Sequence, residues 1–327
     1  MKKYKILLID ATNVFIKMYS VDKSINEFGM PIGGLVGFIK QIKIFIEKFN
    51  PNEIILIFDS HNNSKRKQRI DEEYKKGRKF TSYINSKDPM QNKEIFEQQL
   101  GKLYKFLDYL PFKVLKVDNS EADDIIAFSH KILSNYSDNF EFVIISNDND
   151  FYQLINENTV QYDHRKKEII DVKMFTELFN FLPYNYHIYK TLAGDTSDSV
   201  KRVMRTKNII DGFKDILEGE KFYDLMDLET YIKENKIDID LESVKNNYNL
   251  VQLHEPNIST TNKLLIIEKI KKINTVNYGM TNLKVMINVF GITKFVYQDF
   301  FSYINIFKLK FNEYNNFLIQ LKKEYEK

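Results

Sequence analysis

YKILLID, residues 4–10, is a continuous apolar run that ends in an acid, and EIILIFD, residues 53–59, repeats the form. Runs of this kind, without polar alternation, read as strands buried on both faces of a parallel sheet. Between them Leu35, Phe38, Ile39, Ile42, Phe45, Ile46 and Phe49 recur at helical spacing over 34–49, and Pro51 stops the helix. Residues 4–59 are therefore expected to form a strand–helix–strand unit. Further out, 112–117 and 140–146 read as strands flanking a helix over 121–133, and 159–163 as a shorter strand. This alternation predicts an α/β fold with helices on both faces of the sheet. From Ala193 the chain turns mainly helical, with helices expected near 208–217, 242–250, 260–273 and 281–290. The aromatic tail with Phe300, Phe301, Phe307 and Phe311 is expected to close a core.

Acids gather where ligands bind in such sheets, beyond the carboxyl ends of the strands. Asp10, Asp59, Asp148 and Asp150 each follow an apolar run, Glu121, Asp123 and Asp124 open a helix, and Asp195 and Asp198 follow in GDTSD. Ser120 is the expected N-cap of that helix. Asp148 and Asp150, two apart in an extended continuation, are expected to point the same way. Asp195 and Asp198, three apart, are expected on one face of a helical turn. So many anions at one edge repel without a compensating cation, and an all-oxygen set suits Mg²⁺, with Mn²⁺ as a substitute. Two such ions held together would activate a water and stabilise the leaving oxygen of a phosphodiester, which is nuclease chemistry.

Composition narrows the class. The chain of 327 residues has 43% hydrophobic content and a net charge of +3, and the basic surplus around an acidic pocket suits a polyanionic substrate. With no cysteine, disulfides, iron–sulfur clusters and thiol chemistry are excluded, and a reducing cytosol, bacterial or of a phage-infected host, is the expected compartment. The apolar start is too short for a signal peptide, and no later stretch is expected to span a membrane. The sequence has no GxxxxGK, no GxGxxG opening a helix, no GxSxG and no HxxxH. Five of the six arginines (Arg66, Arg69, Arg78, Arg202 and Arg205) fall in two segments, which makes those segments candidate phosphate contacts. The first, polar and basic over 61–92, is long for a connection within a domain.

Taken in order, LLIDATN, GGLVGF, LIFDS, YKKGR, EADD, SNDND and AGDTSD, spread over residues 4–200, resemble the structure-specific 5′ nucleases, most closely the stand-alone ribonuclease H of T-even-phage type. The resemblance implies a PIN-like αβα domain over 1–192 with a helical arch at 62–92. It further implies a helical DNA-binding and C-terminal region over 193–327 carrying a helix-hairpin-helix. By motif position Asp10, Asp59, Glu121 and Asp123 correspond to ligands of a first metal, and Asp148, Asp150, Asp195 and Asp198 to those of a second. Asp123 or Asp148 would be shared, and Asp124 would assist. Lys75 and Arg78 would act at the scissile phosphate as catalytic residues beside Asp123 and Asp148, and Lys65, Arg66, Lys67, Arg69, Lys76 and Lys79 would contact nucleic acid. Gly33, Gly34 and Gly37 fall where the family packs a helix against the duplex junction, although a tight helix start explains them equally. After GDTSD the chain reads SVKRVMRTKN and has no glycine until Gly212, unlike the glycine-rich hairpin of most relatives. Lys201, Arg202, Arg205 and Lys207 are expected to replace its backbone grip.

The expected activity is metal-dependent 5′-3′ exonuclease or flap endonuclease action on DNA or RNA primers in replication or repair. Its partners would be DNA with a 5′ flap or nick and RNA–DNA hybrid, with a single-strand-binding protein or sliding clamp as further partners. The alternatives are a PIN-like ribonuclease acting on structured RNA and a catalytically silent branched-DNA binding module.

Overall fold

The computed structural model describes residues 2–60, 67, 71–72, 89–219, 222–272, 279–294 and 299–325. Six strands form one sheet in the order β3-β2-β1-β4-β5-β6, with β1 at Tyr4–Asp10, β2 at Glu53–Phe58, β3 at Lys113–Lys116, β4 at Phe140–Ile145, β5 at Thr159–Asp163 and β6 at Glu168–Ile170. All neighbours are parallel except β5 and β6. The two apolar runs that predict the sheet lie at its centre, β1 between β2 and β4.

Alternation along β1 explains why its run is unbroken: Leu7 and Ile9 enter one core, and Tyr4, Ile6 and Leu8 the other. Helix α1 (Ala11–Val21), α2 (Gly33–Phe49) and α3 (Pro89–Leu107) belong to the first face, and α4 (Ala122–Tyr136) to the second. Helices α1 and α2 approach closely because glycines allow it. A Cβ on Gly33 would lie 1.7 Å from Asp22 O, and one on Gly37 would lie 2.8 Å from Met18 Cβ. The Gly34 N–H at the start of α2 is met by Gln99 Oε1 of α3 at 2.8 Å.

After β6 come α5 (Val172–Phe179), α6 (Tyr186–Ala193), α7 (Thr206–Gly212), α8 (Lys214–Leu217), α9 (Leu225–Glu234) and α10 (Leu241–Val251). Together they enclose an aromatic-rich core of their own around Phe175, Tyr186 and Phe213. Three last helices, α11 (Thr260–Lys271), α12 (Met280–Val289) and α13 (Asp299–Tyr325), return to the sheet. Phe300, Phe307 and Phe311 pack in the first core and Tyr314 and Leu318 in the second, so α13 passes from one face to the other. It does so at the amino ends of the strands, where Tyr314 meets Tyr4 and Phe140 with ring centroids 5.9 and 5.8 Å apart. The aromatic tail thus closes a core, as its composition leads one to expect. No helix among the described residues is long and apolar enough to cross a membrane.

Candidate metal centre

Parallel strands aim all their carboxyl ends one way, and the acids that end them converge there. Asp10, Asp59, Glu121, Asp123, Asp148 and Asp195 line one cavity of ≈ 580 Å³, with Thr12, Asn13, Asn147, Arg165, Lys190 and Ser197. Asp10 is buried at the end of β1, where its carboxylate accepts from Asn13 N at 3.0 Å and from Ser146 Oγ at 3.1 Å. Burial, reinforced by the charges of Asp59 and Asp148, pushes its carboxyl up to about 8.

The first turn of α4 differs from its expected form. Its N-cap is Glu121 and not Ser120, and the Glu121 side chain makes no cap hydrogen bond. The cap comes from another strand: Asp59 Oδ1 accepts from Ala122 N at 3.0 Å. Ser120 is released to accept from Asn262 at 3.3 Å. Glu121, Asp123 and Asp124 bring carboxylate oxygens within 4.8 Å of one another, a spacing one metal ion could bridge. In their midst lies the ammonium of Lys67, 2.7 Å from Glu121, 3.3 Å from Asp123 and 3.6 Å from Asp124, and only 3% of that side chain is exposed. Expected as a nucleic-acid contact, Lys67 instead takes the place of a cation among carboxylates. Burial raises the Asp124 carboxyl to about 7 even against the charge of Lys67.

Asp148 keeps extended backbone, but the chain does not continue so to Asp150. Asp148 caps a short 3-10 turn over Asn149–Leu154, accepting from Asp150 N at 3.0 Å, so the two side chains part. Asp148 lines the cavity, whereas Asp150 is buried against Lys190 at 2.7 Å. Burial and then the charge of Asp148 raise the Asp150 carboxyl to about 7, and burial raises that of Asp148 as well.

Asp195 and Asp198 lie in a loop rather than a helical turn. Backbone bonds of 2.9 and 2.8 Å tie Asp195 to Val200 and close the loop, and Gly194 enters it at φ +68, where a Cβ would lie 2.7 Å from Arg202 N. Ser197 Oγ donates to Asp195 at 2.6 Å and to Asp198 at 3.5 Å. Asp198 is buried and does not line the cavity. Lys190 ion-pairs with both Asp195 and Asp150. Burial would lower the Lys190 ammonium, but Asp150, Tyr186 and Asp195 together outweigh it and hold the group charged.

Lys190, Asn147 and Arg165 join the expected acids at this site. Of these only Lys190 leaves a trace in the sequence, a helical spacing shared with Tyr186, Tyr189 and Ala193 that turns it inward without marking it as a counter-ion. Asn147 Oδ1 is buried without a hydrogen-bond partner among the described residues. The donor set fits a hard divalent cation: it is all oxygen, burial and neighbouring charge push Asp10 and Asp148 up, one carbonyl oxygen is left over, and a lysine ammonium stands in a carboxylate trio. A larger cavity of ≈ 1020 Å³ lies toward the far end of α4. Its acids are engaged elsewhere, Asp224 in a capping box, Glu229 with Lys233 and Lys245, and Glu255 with Lys131.

Lys201, Arg202 and Arg205 are exposed after the Asp195 loop, between α6 and α7, and Lys207 is exposed in the first turn of α7. Arg202 lines a second cavity of ≈ 590 Å³ with Tyr186, Tyr189, Lys190 and Asp195, which joins it to the acidic one. Lys65, Arg66, Arg69, Lys75, Lys76, Arg78 and Lys79, and most of the expected arch, lie outside the described residues.

Residues 5–180 match the family model described as 5′-3′ exonuclease, N-terminal resolvase-like domain. The chain is 29% identical over 215 residues to a DNA polymerase I of Streptococcus pneumoniae, across 63% of this chain and 23% of the polymerase. It is 28% identical over 204 residues to a 5′-3′ exonuclease of Buchnera aphidicola, across 62% of this chain and 66% of that protein. A 5′-3′ exonuclease of Mycoplasmopsis pulmonis is 29% identical over 233 residues, across 69% of this chain and 71% of that protein. The match thus spans under a quarter of the polymerase and just under two thirds of the Buchnera exonuclease. Among solved structures, T5 D15 protein co-crystallised with metal ions superposes with a TM-score of 0.59 at 18% identity, covering 88% of this chain and 98% of that one. At that identity the likeness shows a shared fold.

Proposed function

Because the chain belongs to the 5′-3′ exonuclease family through its N-terminal resolvase-like domain, we propose that it hydrolyses phosphodiester bonds at the 5′ ends of DNA or of RNA primers, as a divalent-metal-dependent exonuclease or flap endonuclease. The observation that carries this reading is the excess of carboxylate over cation in the cavity at the strand ends, where Lys190 and Arg165 face Asp10, Asp59, Glu121, Asp123, Asp148 and Asp195. T5 D15 flap endonuclease, of the same fold, has been crystallised in a pseudo-enzyme-product complex with DNA and metal ions.

Two Mg²⁺ ions, or Mn²⁺ in their stead, are the proposed cofactor. Asp10, Asp59, Glu121 and Asp123 would hold one, and Asp148 and Asp195 the other, with Asp150 and Asp198, outside the cavity lining, acting through water. Bound there, the ions supply an activated water and charge stabilisation at the leaving oxygen. The remaining work falls to the chain itself. Asn13 N and Ser146 Oγ fix the Asp10 carboxylate in one orientation. Lys190 ties Asp150 to Asp195 and so joins the turn after β4 to the loop after α6. Arg165 offers a guanidinium to a phosphate entering the cavity, and Lys75 and Arg78 are proposed to reach the scissile phosphate. Lys201, Arg202, Arg205 and Lys207 would hold the duplex beside it, giving a binding constant that falls steeply with salt.

The test is cleavage of a 5′-flapped DNA duplex and of an RNA-primed blunt duplex, each in Mg²⁺ and in EDTA, with product ends mapped. The reading expects metal-dependent products bearing 5′-phosphates. Tight junction binding without cleavage would make the chain a branched-DNA binding module, and a preference for hairpin RNA would make it a ribonuclease on structured RNA.

A further inference from the structure

The amino edge of the sheet, away from the acids, carries a second feature. A cavity of ≈ 690 Å³ opens between the last turns of α4 and α11 and the second half of α13. Its apolar walls are Ile132, Leu133, Tyr136, Ile270, Tyr314 and Leu318, and its charged lining is Lys271, Lys272 and Lys322, with no acid among the described lining residues. All three lysines are exposed. The volume falls in the range of roughly 300–1,000 Å³ common to ligand pockets. Such a pocket wants an occupant with an apolar or aromatic anchor and negative charge around it.

Position decides between the two polyanions that could meet those lysines. Helix α4 has 15 residues, so its far end lies about 20 Å along the axis from the acids of its first turn. Strand β1 places the metal centre at its carboxyl end and Tyr314 at its amino end. A duplex engaged at the acids is thus turned away from this cavity. A nucleic-acid backbone would also leave the half-buried Ile132 and Tyr136 of the apolar wall uncovered, whereas an apolar peptide side chain covers them. We propose that this cavity docks a partner protein through an acidic peptide segment with an apolar anchor, at the same time as substrate is held at the opposite edge. Anchor burial would supply most of the affinity, and the lysines the selection for acidic sequence. The cavity and its charge stand whether or not the nuclease reading holds.

The probe is a fluorescein-labelled octapeptide of six aspartates followed by Leu-Phe, titrated with the full chain and read by anisotropy. Binding is expected to weaken about tenfold when Leu-Phe becomes Ala-Ala, when the aspartates become lysines, or when the protein carries Lys271→Glu with Lys272→Glu. These two lysines are exposed and lie outside the metal centre, so thermal melting of the double variant should match that of the parent chain. A saturating flapped duplex in Ca²⁺ should leave the peptide bound. The proposal is overturned if the lysine peptide binds as well as the aspartate peptide, if the double variant binds the probe undiminished, or if the duplex displaces it.

Discussion

At the amino ends of the strands, Glu53 and Lys113 form a buried ion pair of 3.0 Å, and Lys113 spends a second hydrogen bond on Ile270 O at 2.6 Å. At the carboxyl ends, Asp10, Asp59, Glu121, Asp123 and Asp148 crowd into one cavity with far fewer cations. Both edges bury carboxylates, and burial raises Glu53 as well as Asp10. Only one edge leaves the charge unbalanced. A matched buried pair holds the fold in register, whereas an unmatched cluster costs stability and persists where a further cation completes it.

Substitutions should separate the two edges, and the largest effect belongs to the acids. Asp148→Asn should lower flap cleavage about a thousandfold or more while leaving duplex binding in Ca²⁺ within a few-fold, as an interaction needed for turnover does. Equal losses of binding and cleavage would place Asp148 outside the chemistry. At the other edge Glu53→Gln should show the reverse, costing about 3–5 kcal/mol of unfolding free energy by leaving Lys113 buried alone, with specific activity of the folded fraction unchanged. Denaturant melts beside active-site titration would show it.

A smaller effect has a pH signature. Asp10, raised to about 8, and Asp124 and Asp150, raised to about 7, hold protons more tightly folded than unfolded. Their contribution is full below the unfolded carboxylate value and is lost as pH rises through 7 to 8. Buried His130, His164 and His187, lowered to about 4, and His254, lowered to about 3, change stability with the opposite sign, but only below about pH 6.5. Between pH 6.5 and 8.5 the metal-free protein should therefore lose on the order of 5 °C in Tm, and Mg²⁺ should remove most of that slope. A flat metal-free profile would mean the carboxylates are already balanced. The smallest effect is expected of Lys67→Met, which vacates the Glu121–Asp123–Asp124 trio and should tighten Mn²⁺ binding about three- to tenfold in calorimetry. Weaker binding would show that Lys67 supports the site instead of competing for it.

How far the sequence discloses these edges follows from range. The central strands are legible because YKILLID and EIILIFD are buried on both faces, and the acids that end them meet because parallel strands share a direction. Lys67 and Lys190 are not legible as counter-ions. One sits in a basic run that reads as a nucleic-acid contact, the other in an ordinary amphipathic turn, and only tertiary placement sets them among carboxylates. Ser120 misleads because Asp59, distant in sequence, caps α4 in its stead. Helix α13 is hidden for another reason: its apolar residues serve one core as far as Phe311 and the other from Tyr314, so no single face repeats.

Whether the carboxyl edge is a metal centre is tested most directly by titrating the metal-free chain with Mn²⁺ in a calorimeter, alongside Asp10→Asn and Glu53→Gln. The account predicts two ions per chain, weakened or lost in Asp10→Asn and retained in Glu53→Gln. No binding by the parent chain, or the same isotherm with Asp10→Asn, would contradict it.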